Sequence, residues 1–232
     1  MSTPKIILTD VEGTTTAIAY VKDTLFPFAA NELENFLAVH GTEPEVAAII
    51  EDVRALAPVV SPVATLRRWM AADEKITSLK ALQGLIWEAG YRDGRLRGHL
   101  WPDVAACLRA WHASGIGLAV FSSGSVDAQK QLFGNSIAGD LTPLFQGFFD
   151  TRIGSKREMP AYAAIARTLR SPPGAILFLS DVAEELDAAA GAGMQVCQLV
   201  RAGDGTRDCR RYHSATDFAD VARRFGLPEA KG

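Results

Sequence analysis

Four short apolar runs alternate with helix-length segments along this chain. They are Ile6-Ile7-Leu8, residues 116–121, residues 175–179 and residues 196–200, each bounded by Gly, Pro, Ser or Asp. Runs of that length between turn-forming residues read as buried strands. Helical patterns over 126–133, 160–169 and 183–192 fall between them. Strands alternating with helices imply βαβ crossovers and a parallel sheet covered on both faces. The expected fold is therefore α/β, a doubly wound parallel sheet.

Residues 20–100 break the alternation. Helix follows helix there without a convincing strand. Thr42-Glu43-Pro44-Glu45 has capping-box spacing, and Ser61-Pro62 and Thr77-Ser78 are further helix starts. Ala47, Ile50, Val53 and Leu56 recur at helical spacing, as do Leu79, Leu82, Leu85 and Ile86. The expected organisation is a catalytic core of residues 1–19 and 101–232, with an all-helical cap of residues 20–100 inserted into it. A polar loop is expected over 201–212 and a closing helix over 218–225. A chain of 232 residues fits one core with an insertion, since single hydrophobic cores stop growing at about 250 residues.

A net charge of −3 gives no field that would gather nucleic acid or anionic lipid. Neither nucleic acid nor membrane is expected as a partner, and a small molecule is. Only three apolar residues separate Lys5 from Thr9-Asp10, too few for a signal peptide, and no long uncharged apolar stretch follows. Cys107, Cys197 and Cys209 are odd in number and lack C-x-x-C spacing, so neither a disulfide framework nor a zinc site is indicated. A cytoplasmic monomer is the expectation. His40, His99, His112 and His213 are scattered and receive no role. Trp111 and Met194 read as packing residues, and 207–211 as a solvated surface.

The chemistry gathers where the expected core strands end. Asp10-Val11-Glu12-Gly13-Thr14-Thr15 follows the first run, Ser122-Ser123-Gly124-Ser125 the second, and Ser180-Asp181 the third, ahead of Glu184-Glu185-Leu186-Asp187. Ligands of open α/β sheets sit beyond the carboxyl ends of strands. Each site alone has a plainer reading: an Asx turn or helix cap for Asp10 and Asp181, an N-cap for the serines, and a solvated basic turn for Lys156-Arg157.

Taken in order, acid pair, Ser, Lys and Asp resemble the four motifs of the haloacid dehalogenase superfamily. Glu12 as the second acid is the distinguishing residue. It makes the chain similar to one branch, the bifunctional enolase-phosphatases (acireductone synthases) of methionine salvage. Residues 10–16, Val21-Lys22-Asp23 with Leu25-Phe26-Pro27, and residues 121–125, 154–158 and 180–187 all look like motifs of that branch, so the resemblance spans nearly the whole chain. It implies that Asp10, Glu12 and Asp181 belong to a Mg²⁺ site and that Ser122, Ser123 and Lys156 bind substrate. It also implies the substrate, 2,3-diketo-5-methylthiopentyl 1-phosphate, which is enolised and then dephosphorylated.

The residue chemistry agrees. A dianionic phosphate ester repels nucleophiles, so a site needs compensating cations and a nucleophile held in line. Mg²⁺ takes hard oxygen ligands, which Asp10, Glu12 by backbone or side chain, and Asp181 can supply beside waters. Asp10 is the expected nucleophile, Glu12 the acid and base, and Lys156 with the serines the stabiliser of equatorial charge. An apolar pocket for the methylthio end has Trp69, Met70 and Trp87 as candidates, each also suited to a core. Rival readings are a general small-phosphate-ester phosphatase, a dehalogenase acting on carbon, for which Glu12 and Asp181 would have no purpose, and a non-catalytic domain.

Overall fold

The computed structural model describes residues 3–230. Along the chain come β1 (Ile6–Thr9), then α1 (Ile18–Tyr20), a π-helical turn (Val21–Leu25), α2 (Phe26–His40), α3 (Pro44–Leu56), α4 (Pro62–Ala71) and α5 (Thr77–Arg92). After them come α6 (Val104–Ala113), β2 (Gly117–Phe121), α7 (Val126–Gly134), β3 (Gly147–Phe149), α8 (Met159–Thr168), β4 (Ile176–Ser180), α9 (Ala183–Gly191), β5 (Gln195–Leu199), β6 (His213–Ala215) and α10 (Phe218–Phe225). The chain divides into two compact units, residues 1–18 with 98–232, and residues 19–97.

The first unit is a doubly wound α/β domain. Its sheet has six strands in the order β3-β2-β1-β4-β5-β6, every pairing parallel. Isoleucine, leucine and threonine fill β1, and all four of its residues are buried, as a strand covered on both faces requires. On one face Ile6, Leu8, Phe121 and Phe178 pack against Tyr162 and Ile165 of α8 and Leu186 and Ala189 of α9. The pleat turns Ile7, Leu118 and Val120 to the other face, where α6 packs on β2 and α10 on α6. Trp111 stacks there on Phe218 at 5.3 Å and donates its indole N–H to the Pro228 carbonyl at 3.1 Å. Strand order reverses at β1 and β4, the position at which open sheets of this order bind ligands.

The second unit is all helical. Its core takes Ala29, Leu33 and Phe36 from α2, Val46, Ile49 and Val53 from α3, Leu66 and Trp69 from α4, and Leu79, Leu82, Ile86 and Ala89 from α5. The stripe expected on α3 is therefore shifted: Val46 and Ile49 turn inward with Val53, while Leu56 is 62% exposed. Thr42 does not cap that helix. The N-cap position is Glu43, without a side-chain cap bond, and Pro44 opens the first turn. Ser61 does cap α4, accepting from the Ala64 amide at 3.3 Å, whereas Ile76 rather than Thr77 precedes α5. Trp87 donates its indole N–H to the Leu25 carbonyl at 2.8 Å, at the end of the π-helical turn. Met70, partly buried, packs against this core, of which Trp69 is a member.

Two edge strands, β3 and β6, have no counterpart among the four expected runs. Each is only three residues long, as edge strands often are, and too short to show a period of two. No helix among the described residues is long and apolar enough to cross a membrane. Cys107, Cys197 and Cys209 are free thiols.

Candidate active site

Parallel register brings three strand ends together. Thr9 lies opposite Val120 of β2 and Leu179 of β4, so the next residues in each strand, Asp10, Phe121-Ser122 and Ser180-Asp181, share one end of the sheet. The Asp10 amide donates to the Leu179 carbonyl at 2.9 Å, extending the ladder by one bond, and the side chain is buried. The chain then turns on itself. The amides of Thr14, Thr15 and Thr16 all reach the Val11 carbonyl, at 3.2, 2.9 and 2.9 Å. Gly13 adopts φ +73° in this turn, a conformation that costs other L-residues energy.

Lys156 fills the space beside Asp10. Its side chain is 6% exposed, and its ammonium sits 2.5 Å from Asp10 Oδ1 and 2.7 Å from Glu185 Oε2. Tyr162 fixes the lysine backbone by donating its hydroxyl to the Lys156 carbonyl at 2.7 Å. Burial alone would lower the lysine pKa, but Asp10 and Glu185 outweigh it and hold the group above its ordinary value. Glu185 also accepts from the Ser180 hydroxyl at 2.9 Å. Its carboxyl is pushed up, by burial first and by the Asp10 charge second, against the pull of Lys156. One ammonium between two carboxylates neutralises one negative charge and leaves the other in excess.

Asp181 adds a third carboxylate. Its amide donates to Thr14 Oγ1 at 3.1 Å, and its carbonyl accepts from Gln198 Nε2 at 2.9 Å. The backbone is thus fixed from both sides, but Oδ1 is buried with no hydrogen-bond partner. Burial and the Asp10 charge raise this carboxyl to about 7. A half-buried acid with an orphan oxygen beside a second carboxylate is a place where a cation gains most.

The plainer readings of these residues fail for three of them. Neither Asp10 nor Asp181 caps a helix, since the N-cap of α9 is Val182, and Lys156 is buried, although its neighbour Arg157 is exposed. The serines divide. Ser125 is the N-cap of α7, accepting from the Ala128 amide at 3.2 Å. Ser122 is buried at the end of β2 with its Oγ accepting from the Gly124 amide at 3.1 Å, and Ser123 is exposed. Glu12 is exposed as well. Among the described residues no three His, Cys, Asp or Glu side chains converge to hold a metal, so Glu12, Asp10 and Asp181 do not form a closed carboxylate cage.

Several supporting residues lie outside the set picked from the sequence. Glu185 was visible as half of an acidic pair, but only packing decides that it turns inward while Glu184 stays exposed. His99 accepts from the Ala17 amide through Nδ1 at 3.2 Å, with its pKa lowered chiefly by burial. No sequence pattern marks it.

Residues 4–193 match the family described as haloacid dehalogenase-like hydrolase. The enolase-phosphatase E1 of Acidiphilium cryptum is 51% identical over 226 residues, covering 97% of both chains. That of Granulibacter bethesdensis is 54% identical over 98% of this chain and 99% of its own. The chain belongs to the enolase-phosphatase family of haloacid dehalogenase-like hydrolases. As a member it is a phosphatase. The UTR4 protein of Saccharomyces cerevisiae, 30% identical, shares the fold with a TM-score of 0.79 over 92% of this chain and 98% of its own. CbbY of Rhodobacter sphaeroides, at 19% identity and a TM-score of 0.62 over 94% of this chain and 96% of its own, shows the common fold alone.

Proposed function

We propose that the enzyme enolises 2,3-diketo-5-methylthiopentyl 1-phosphate and removes its phosphate, giving 1,2-dihydroxy-3-keto-5-methylthiopentene in L-methionine salvage, with Asp10 as covalent nucleophile. The observation that carries this reading is the convergence of Asp10, Lys156 and Asp181 at the point where strand order reverses.

In the dephosphorylation step an Asp10 carboxylate oxygen attacks phosphorus, and the bond from phosphorus to the ester oxygen breaks. Glu12 protonates the departing oxygen. It then takes a proton from the water that cleaves the aspartyl-phosphate, returning Asp10 and free phosphate. Lys156 faces the negative charge spread over the phosphoryl oxygens, and Ser122 and Ser123 at the end of β2 supply further donors. Asp10, Asp181 and Glu12, the last through its backbone or side chain, would hold Mg²⁺. The orphan Oδ1 of Asp181 and its raised pKa support that assignment. When bound, the cation supplies charge neutralisation at the phosphoryl group and polarisation of substrate oxygens.

Selection of the methylthio end is assigned to the helical unit of residues 19–97, whose own core is closed by packed apolar side chains, so that only side chains outside that core are free to meet a ligand. The enzyme works on a small molecule as a cytoplasmic monomer, a setting its three free thiols suit.

The deciding experiment gives the phosphodiketone to purified enzyme and follows ultraviolet absorbance of the enol together with phosphate. Enol absorbance should appear no later than phosphate, with kcat/KM far above that on phosphoglycolate. Phosphate release without any enol, or equal kcat/KM on both esters, would leave a general phosphatase.

A further inference from the structure

Arg201 follows β5 and is only 5% exposed. Its Nε and Nη2 both donate to the Thr14 carbonyl, at 3.1 and 2.9 Å. The terminal nitrogens also grip the Asp103 carboxylate at 2.9 Å each, and Nη1 reaches the Thr216 carbonyl at 3.4 Å. The rings of Trp101 and Phe218 lie 5.3 and 5.6 Å from the guanidinium carbon. A buried guanidinium is unfavourable unless its whole fork is satisfied, and only the planar fork of arginine reaches a carbonyl and a carboxylate together.

Thr14 is where these bonds meet the chemistry. Its hydroxyl accepts from the Asp181 amide at 3.1 Å, and its own amide closes the turn that begins at Asp10 by donating to Val11 at 3.2 Å. One residue, Thr14, therefore links the turn after Asp10 to Asp181, and Arg201 holds that residue by its carbonyl. Asp103 in turn accepts from the Phe218 amide at 2.8 Å, which ties the clamp to the start of α10.

We infer that Arg201 is a positioning residue for the phosphatase reaction: through Thr14 it sets the spacing between Asp10 and Asp181. This rests on the reading of those two carboxylates given above. Arg201 acts through the Thr14 backbone, so its loss should affect the reaction and spare the binding of substrate.

The test is Arg201→Lys, which keeps the charge and loses the fork. In protein that remains folded by circular dichroism at the assay temperature, kcat for phosphate release should fall about 10- to 100-fold. KM should stay within about twofold, the pattern of an interaction felt only in the transition state. A folded variant with kcat within about threefold of the parent, or a loss that merely tracks the folded fraction, would overturn the inference. If Arg201→Lys does not fold, Asp103→Asn is read in the same way, since it weakens the clamp at constant size. Parental kcat there, or loss of fold in both variants, assigns Arg201 to architecture alone. Turnover surviving in Asp10→Asn would instead sink the nucleophile reading, so the two failures are distinguishable.

Discussion

A Cβ built on Gly13 would stand 2.4 Å from Oδ2 of Asp181 and 2.6 Å from its Cγ. The acid that follows β4 therefore packs against a residue of the nucleophile's turn that has no side chain. Gly13→Ala should displace Asp181 and also strain the backbone at φ +73°. The strain alone costs about 1–3 kcal/mol, and moving a site carboxylate by an ångström costs about a hundredfold in rate. Thermal melts beside phosphate-release assays should show turnover falling much further than stability. Turnover near that of the parent would mean that Asp181 need not stand where it does.

Asp10→Asn should abolish phosphate release while leaving the circular dichroism spectrum unchanged, because an amide of the same shape is no nucleophile. Even a tenth of parental turnover would be incompatible with an aspartyl-phosphate.

Lys156 and Glu185 should respond unequally to neutral replacement. Lys156→Met leaves Asp10 and Glu185 buried together without their shared cation and should destabilise the metal-free protein by about 3–5 kcal/mol. Glu185→Gln removes the excess negative charge, keeps a polar group for Ser180 and leaves Lys156 paired with Asp10. Its melting temperature should stay close to the parent's. Denaturant titration of both variants checks the contrast, and equal losses would contradict the charge count.

The metal-free protein should lose stability as pH rises from about 4 to about 7. The Asp181 carboxyl is raised to about 7 in the folded state, while its unfolded value is about 3.9. Between those values the folded state holds more protons than the unfolded one, so unfolding free energy falls with pH. Mg²⁺ should reverse the trend, and its effect on the melting temperature should be larger at pH 8 than at pH 5. Melts at both pH values with and without the ion decide this. An effect independent of pH would remove Asp181 from the cation site.

Chelation should silence the enzyme, with Mg²⁺ restoring activity and Ca²⁺ failing to. Calcium takes 6–8 oxygens at longer distance and draws both oxygens of a carboxylate onto itself, which would take Asp10 out of line. A phosphate-release assay in each ion checks it. Full activity in Ca²⁺ or in chelator would contradict the proposed site.

Local sequence determined the α/β alternation and the run of helices between the first two strands, and it marked Asp10, Ser122, Lys156 and Asp181 as candidates. Buried strands and amphipathic helices carry their periodicity within a few residues, and strand-end acids stand out against it. The edge strands β3 and β6 escaped because three residues are too few to show a strand's alternation. The start of α3 escaped because Pro44 opens its first turn and no side chain caps it, so the Thr42 spacing pointed one residue too early. What Lys156 does was decided only in three dimensions. The same Lys-Arg dipeptide serves a solvated turn, and burial between Asp10 and Glu185 depends on residues 146 and 29 positions away. The choice of Glu185 over Glu184, and the grip of Arg201 on Thr14 across 187 residues, are likewise long-range. Such contacts form only when the parallel register has brought β1, β4 and β5 side by side, and no local pattern encodes which distant partner a buried charge will meet.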